Sequence, residues 1–76
     1  MALVRTFLRK NMDRNSIHKE IEATYTPFHR DGKTFLQIDT YGTQDREIPG
    51  KKSQSFQLDE IGAKILFDIL KREFRF

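Results

Sequence analysis

Seventy-six residues without a cysteine make one domain with neither a disulfide framework nor a Cys-based zinc site. A chain of this size buries only about 60% of its unfolded surface, so its core needs a partner subunit or a staple. The net charge of +3 is uneven: residues 1–33 hold seven Lys/Arg against four Asp/Glu, and residues 34–76 hold seven of each. That excess suits a polyanionic partner, and it is also what ordinary solvation of a small domain uses.

No apolar run approaches the ~20 residues of a membrane span. The first twelve residues include Arg5, Arg9 and Lys10 and lack the apolar stretch of a signal peptide. With no cysteine to oxidise, a cytoplasmic location is the expectation. His18 and His29 are the only histidines and read as surface residues, so neither a metal nor a cofactor is expected.

Residues 1–15 read as an N-terminal arm ahead of a single domain, 16–76. Val4, Phe7 and Leu8 have the spacing of a short helix. Their basic neighbours also suit an arm along a phosphate backbone, or a terminus that packs on nothing. Residues 16–30 read as the first long strand, because Ile21, Ala23 and Tyr25 alternate with polar neighbours. Pro27 lacks an amide donor and belongs at an edge, a bulge or a strand end. Asp31-Gly32 signals a tight hairpin. In the next strand, 34–41, Leu36 and Ile38 share one face, while Phe35, Gln37, Asp39 and Tyr41 share the other. A polar loop ends at Pro49-Gly50 and is followed by Lys51 and Lys52. The last strand, 53–58, puts Gln54, Phe56 and Leu58 on one side and Ser53, Ser55 and Gln57 on the other.

Asp59 then caps a helix to about Phe74. Ile61, Ile65, Leu66, Ile69 and Leu70 form its apolar stripe, widened by Phe67 and Phe74. Glu60–Lys64 and Asp68–Arg72 have the spacing of ion pairs along the helix. The stripe is broader than a three-stranded sheet covers. A homodimer is therefore expected, with Ile65, Phe67, Ile69, Leu70 and Phe74 at its interface. The switch from period two to period 3.6 at Leu58 fixes the expected fold class as α+β, an antiparallel sheet of three or four strands with one C-terminal helix on one face.

No nucleophile–base pair, paired-carboxylate motif or phosphate-cradling glycine loop is visible, so the chain does not read as an enzyme. What stands out is aromatic rings among cations: Phe28, Arg30, Lys33, Phe35 and Tyr41 in or beside the hairpin, and Arg46, Lys51 and Lys52 in the following loop. Single-stranded nucleic acid is held by this combination, bases on rings and phosphates beside cations. For Phe28 and Phe35 the residues leave core and binding site open, and Tyr41 fits core or interface. A second reading has Arg46, Lys51, Lys52 and the Ser/Gln face docking on another protein, as in a small regulatory or phage-type module without nucleic-acid binding.

Gly32-Lys33, Leu36, Ile38, Tyr41, Pro49-Gly50-Lys51-Lys52 and Leu58 together resemble the positive-cofactor-four family of transcriptional coactivators, which bind single-stranded DNA. The likeness runs from Thr24 to Leu70. It implies a curved antiparallel sheet backed by a C-terminal helix, a dimer formed through that helix and the sheet, and DNA contacts at Lys33, Lys51 and Lys52. The chain departs from the family pattern at Gly42, where the family stacks a base on an aromatic, and at Asp39, where the family has a cation.

Overall fold

The computed structural model describes residues 1–42 and 52–76. Five elements follow one another: β1 (Leu3–Val4), β2 (Ala23–Arg30), β3 (Lys33–Tyr41), β4 (Lys52–Leu58) and α1 (Glu60–Phe74). The strands form one sheet in the order β1-β4-β3-β2, and the α+β class expected from the sequence is what is found. β2, β3 and β4 are antiparallel neighbours, whereas β1 joins β4 in parallel. The sheet is therefore mixed rather than wholly antiparallel.

Asp31 and Gly32 close the β2–β3 hairpin with φ of 53° and 74°. A two-residue turn whose two positions both need positive φ matches the twist of the flanking strands, and Asp-Gly supplies those residues at low cost. The turn fixes the register Arg30↔Lys33 and Phe28↔Phe35. Pro27 sits on the edge strand β2, where its missing donor is tolerated. The first long strand begins at Ala23, not near residue 16 as its alternation suggests. Its partner β3 ends at Tyr41, and one further bond, Tyr41 N–H to the Glu22 carbonyl at 3.4 Å, exhausts the ladder. Ile21 and Tyr25, two of the apolar residues in that alternation, are exposed.

β1 has no counterpart in the sequence reading. Two residues are too few for a period, and the strand exists only because β4 offers an open edge: Leu3 lies opposite Gln57 and Val4 opposite Leu58. The Gln57 amide donates to the Ala2 carbonyl at 2.7 Å.

Asp59 caps α1 as expected, its carboxylate accepting from the Gly62 amide at 2.9 Å. The other end closes on Arg75 in the left-handed region, with the Phe76 amide donating to the Lys71 carbonyl. Lys71 and Arg72 in the last turn complement the negative helix end. The ion pairs differ from those the spacing suggests. Lys64 bridges forward to Asp68 at 3.2 Å and Arg72 turns to Glu73, so neither Glu60–Lys64 nor Asp68–Arg72 forms. Lys64 also lies over the Phe67 ring, 5.2 Å from its centroid. That position favours Asp68 as its carboxylate partner.

Leu36, Leu58, Ala63 and Phe67 line one hollow where the helix meets the sheet. Leu58, 3% exposed, is the one buried apolar residue among those described. Phe67, Leu70 and Phe74 on the helix stay in water, together with Tyr25 on the sheet. The surface total reflects this. A compact folded chain of 9.1 kDa exposes about 4,900 Å², and this chain exposes 7410 Å². Its radius of gyration, 14.7 Å, also exceeds the roughly 11 Å of a compact domain of its length.

Candidate nucleic-acid interface

Because successive side chains alternate between faces, the register assigns each strand residue to a side. One side holds Tyr25, Leu36, Ile38, Phe56 and Leu58. The other carries four rows: Arg30 with Lys33, Phe28 with Phe35, Gln37 with Gln57, and Asp39 with Ser55. Six of the cations and rings singled out in the sequence thus concern this second face: Phe28, Arg30, Lys33 and Phe35 at one end, and Tyr41 and Lys52 at the other. Arg46 and Lys51 lie outside the described residues.

The Phe28 and Phe35 rings stack at 5.3 Å between centroids and 15° between planes. Both are half-buried. They are neither core nor fully free; they form a small apolar step on an otherwise polar face. Arg30 and Lys33 follow at the exposed hairpin end. Tyr41 donates to or accepts from Thr24 at 2.9 Å across the β2–β3 ladder.

Lys52 reaches this face through an irregularity. The β3–β4 register shifts between Thr40 and Tyr41, so Gln54 faces Thr40 but Lys52 faces Tyr41. The bulge skips Ser53 and re-aims the strand. Lys52 Nζ consequently stands 3.5 Å from the Asp39 carboxylate. The sequence reading placed Lys52 in a loop; it is the first residue of β4.

Asp39 is the centre of a polar cluster that the sequence reading passed over. It is 3% exposed. The Ser55 hydroxyl donates to it, Gln37 Nε2 donates to both its oxygens at 3.0 and 3.2 Å, and Gln57 Nε2 donates in turn to Gln37 Oε1 at 3.0 Å. Alternation had already put Gln37 with Asp39 and Ser55 with Gln57. The missing signal was the β3–β4 register that sets those pairs opposite each other. The Ser55 hydrogen bond holds the Asp39 carboxyl below its ordinary 3.8 against the upward pull of burial, with Gln37 and Lys52 adding to it. The Gly62 amide does the same for Asp59, again against burial, helped by Arg5.

Both carboxyls bind protons less readily folded than unfolded. Their stabilisation is therefore complete above their ordinary value and is lost as pH falls through the lower folded value. Melting temperature should hold from pH 7 to 5 and drop below about pH 4. Asp59→Asn keeps an acceptor at the cap but removes the charge, so its melting temperature should fall less than the wild type's between pH 5 and 3. An equal fall in both would refute the assignment to Asp59.

The residues read as a dimer interface divide. Ile65 and Ile69 are half-buried, Ile69 beside Phe7, Leu8 and Met12, while Phe67, Leu70 and Phe74 are exposed. His29 shares a hydrogen bond with Thr34 at 3.0 Å. Among the described residues no group of three or more His, Asp or Glu is placed to hold a metal, and no helix is long and apolar enough to cross a membrane. No family model matches the chain, and no curated protein or solved structure matches it either.

Proposed function

We propose that this chain is a small non-catalytic nucleic-acid-binding module that acts as a homodimer, with single-stranded DNA its favoured ligand. The observation that carries the reading is the stacked Phe28–Phe35 pair flanked by Arg30 and Lys33 on one sheet face. A half-buried ring pair on a sheet face offers a base a stacking surface, and neighbouring cations meet its phosphates. Sequence likeness to single-stranded-DNA-binding coactivators adds transcription regulation as the setting. The excess surface and the exposed helix rings support the homodimer.

The test is fluorescence anisotropy with a labelled mixed-sequence oligonucleotide across a range of salt. Affinity should fall with salt, with a log–log slope of about −0.7 for each phosphate contact. Replacing both Arg30 and Lys33 by alanine should flatten that slope by about 1.4. Phe28→Ala should weaken binding by about 1–3 kcal/mol, the worth of one stacked base, and leave the slope alone because stacking releases few counterions. Folded wild-type protein that fails to bind at low salt would end this reading and favour docking on another protein.

A further inference from the structure

The hydrogen-bond chain on the proposed binding face has a direction, and Asp39 sets it. An ionised carboxylate only accepts. Gln37 therefore has to present its NH2 group, and both Asp39 oxygens receive it. Reversing the Gln37 amide would set a carbonyl against a carboxylate in a buried site, a costly mispairing. With its NH2 spent, Gln37 offers only its carbonyl to β4, so Gln57 must donate there in turn. Gln57 is the end of the chain. Its carbonyl oxygen and its second N–H have no partner among the described residues. A hollow of about 230 Å³ bounded by Met1, Leu3, Ser55 and Gln57 opens beside them. Gln37 lies two residues beyond Phe35 on the same face, with Gln57 directly across from it, so this amide sits one row from the stacked rings.

We propose that Gln57 is a base-contacting residue, pairing its free carbonyl and N–H with the hydrogen-bonding edge of a base next to the Phe28–Phe35 step, and that Asp39 is the positioning residue that holds it there through Gln37. This rests on the nucleic-acid reading and extends it. The contact is to a base edge, not to a phosphate, because Lys52 is already paired with Asp39 and the negative carboxylate disfavours a phosphate beside it. A side-chain amide is suited to the task, since its adjacent donor and acceptor match the adjacent acceptor and donor of a base.

The experiment uses the full chain and labelled mixed-sequence single-stranded DNA. Gln57→Ala should bind about five- to tenfold more weakly, the size of one or two neutral hydrogen bonds, with an unchanged salt slope. Asp39→Asn supplies an amide in place of the carboxylate and releases the direction of the chain, so it should weaken binding as well. In the Gln57→Ala background, Asp39→Asn should then add no further loss, because its effect passes through Gln57. Should Asp39→Asn fail to fold, Gln37→Leu cuts the same chain and leaves Ser55 and Lys52 on the carboxylate. Gln57→Ala binding as tightly as the wild type would overturn the proposal while the nucleic-acid reading stood. Fully additive losses in the double variant would overturn the positioning role of Asp39. Absence of binding by the wild type would remove the reading on which both rest.

Discussion

Diluting the protein should lower its melting temperature, and sedimentation equilibrium at micromolar concentration should return twice the chain mass. The chain carries about 2,500 Å² more surface than a compact monomer of its mass. Two copies covering that excess would bury a total near the upper end of the 2,000–5,000 Å² typical of obligate dimers. With Leu58 the one buried apolar residue described, a lone chain has little core to oppose its conformational entropy. Folding would then be coupled to association. Each hundredfold dilution should remove about 2.7 kcal/mol of stability, or roughly 5–10 °C of melting temperature for a dimer of this size. The decisive variants are Phe67→Glu and Leu70→Glu. On a free surface such changes stay within about 0.5 kcal/mol. At the centre of an interface a buried aromatic is worth about 2 kcal/mol or more. A clean monomer with a concentration-independent melt would reject the homodimer and leave the exposed rings to a different protein.

Gly62→Ala should destabilise the fold by about 1–3 kcal/mol, the cost of overpacking a close contact. A helix propensity argument predicts the opposite sign, a gain of about 0.8–1 kcal/mol, because alanine is the better helix former. The structure decides between them. Gly62 is buried in the first turn of α1, and a methyl group there would overlap the Val4 carbonyl oxygen and come to 3.1 Å of the Val4 carbonyl carbon and 3.4 Å of the Arg5 Cα. These are backbone atoms, held by the β1–β4 pairing and by the Arg5–Asp59 ion pair, so they cannot swing away as a side-chain tip would. Urea denaturation at one fixed protein concentration measures the difference. A variant as stable as the wild type, or more so, would show that β1 yields easily and that the contact between helix and first strand contributes little. A destabilised variant with reduced nucleic-acid affinity would in addition tie β1, whose Leu3 borders Gln57, to the proposed binding face.

The sequence by itself determined the local elements. Asp31-Gly32 dictates a hairpin because few other pairs tolerate positive φ at both turn positions. Asp59 ahead of a period-3.6 stripe dictates where the helix starts. Alternation sorted Leu36 and Ile38 from Phe35, Gln37 and Asp39, since the pleat allows only two sides. These signals are short-range, and a single stretch of chain contains all the atoms that produce them. Only the tertiary structure decided what lies across from what. β1 forms because Leu3 and Val4 find the open edge of β4, more than fifty residues away. The starting point of β2 is set by where β3 ends, not by its own alternation. Lys52 faces Asp39 because of a bulge in the β3–β4 register, and the Asp39–Gln37–Gln57 chain exists because that register sets Gln37 opposite Gln57. Gly62 looks like a weak spot in a helix until the Val4 backbone is seen against it. In each case the deciding partner is distant in sequence, and pairing across such a distance is selected by the free energy of the whole sheet rather than by the preferences of either strand.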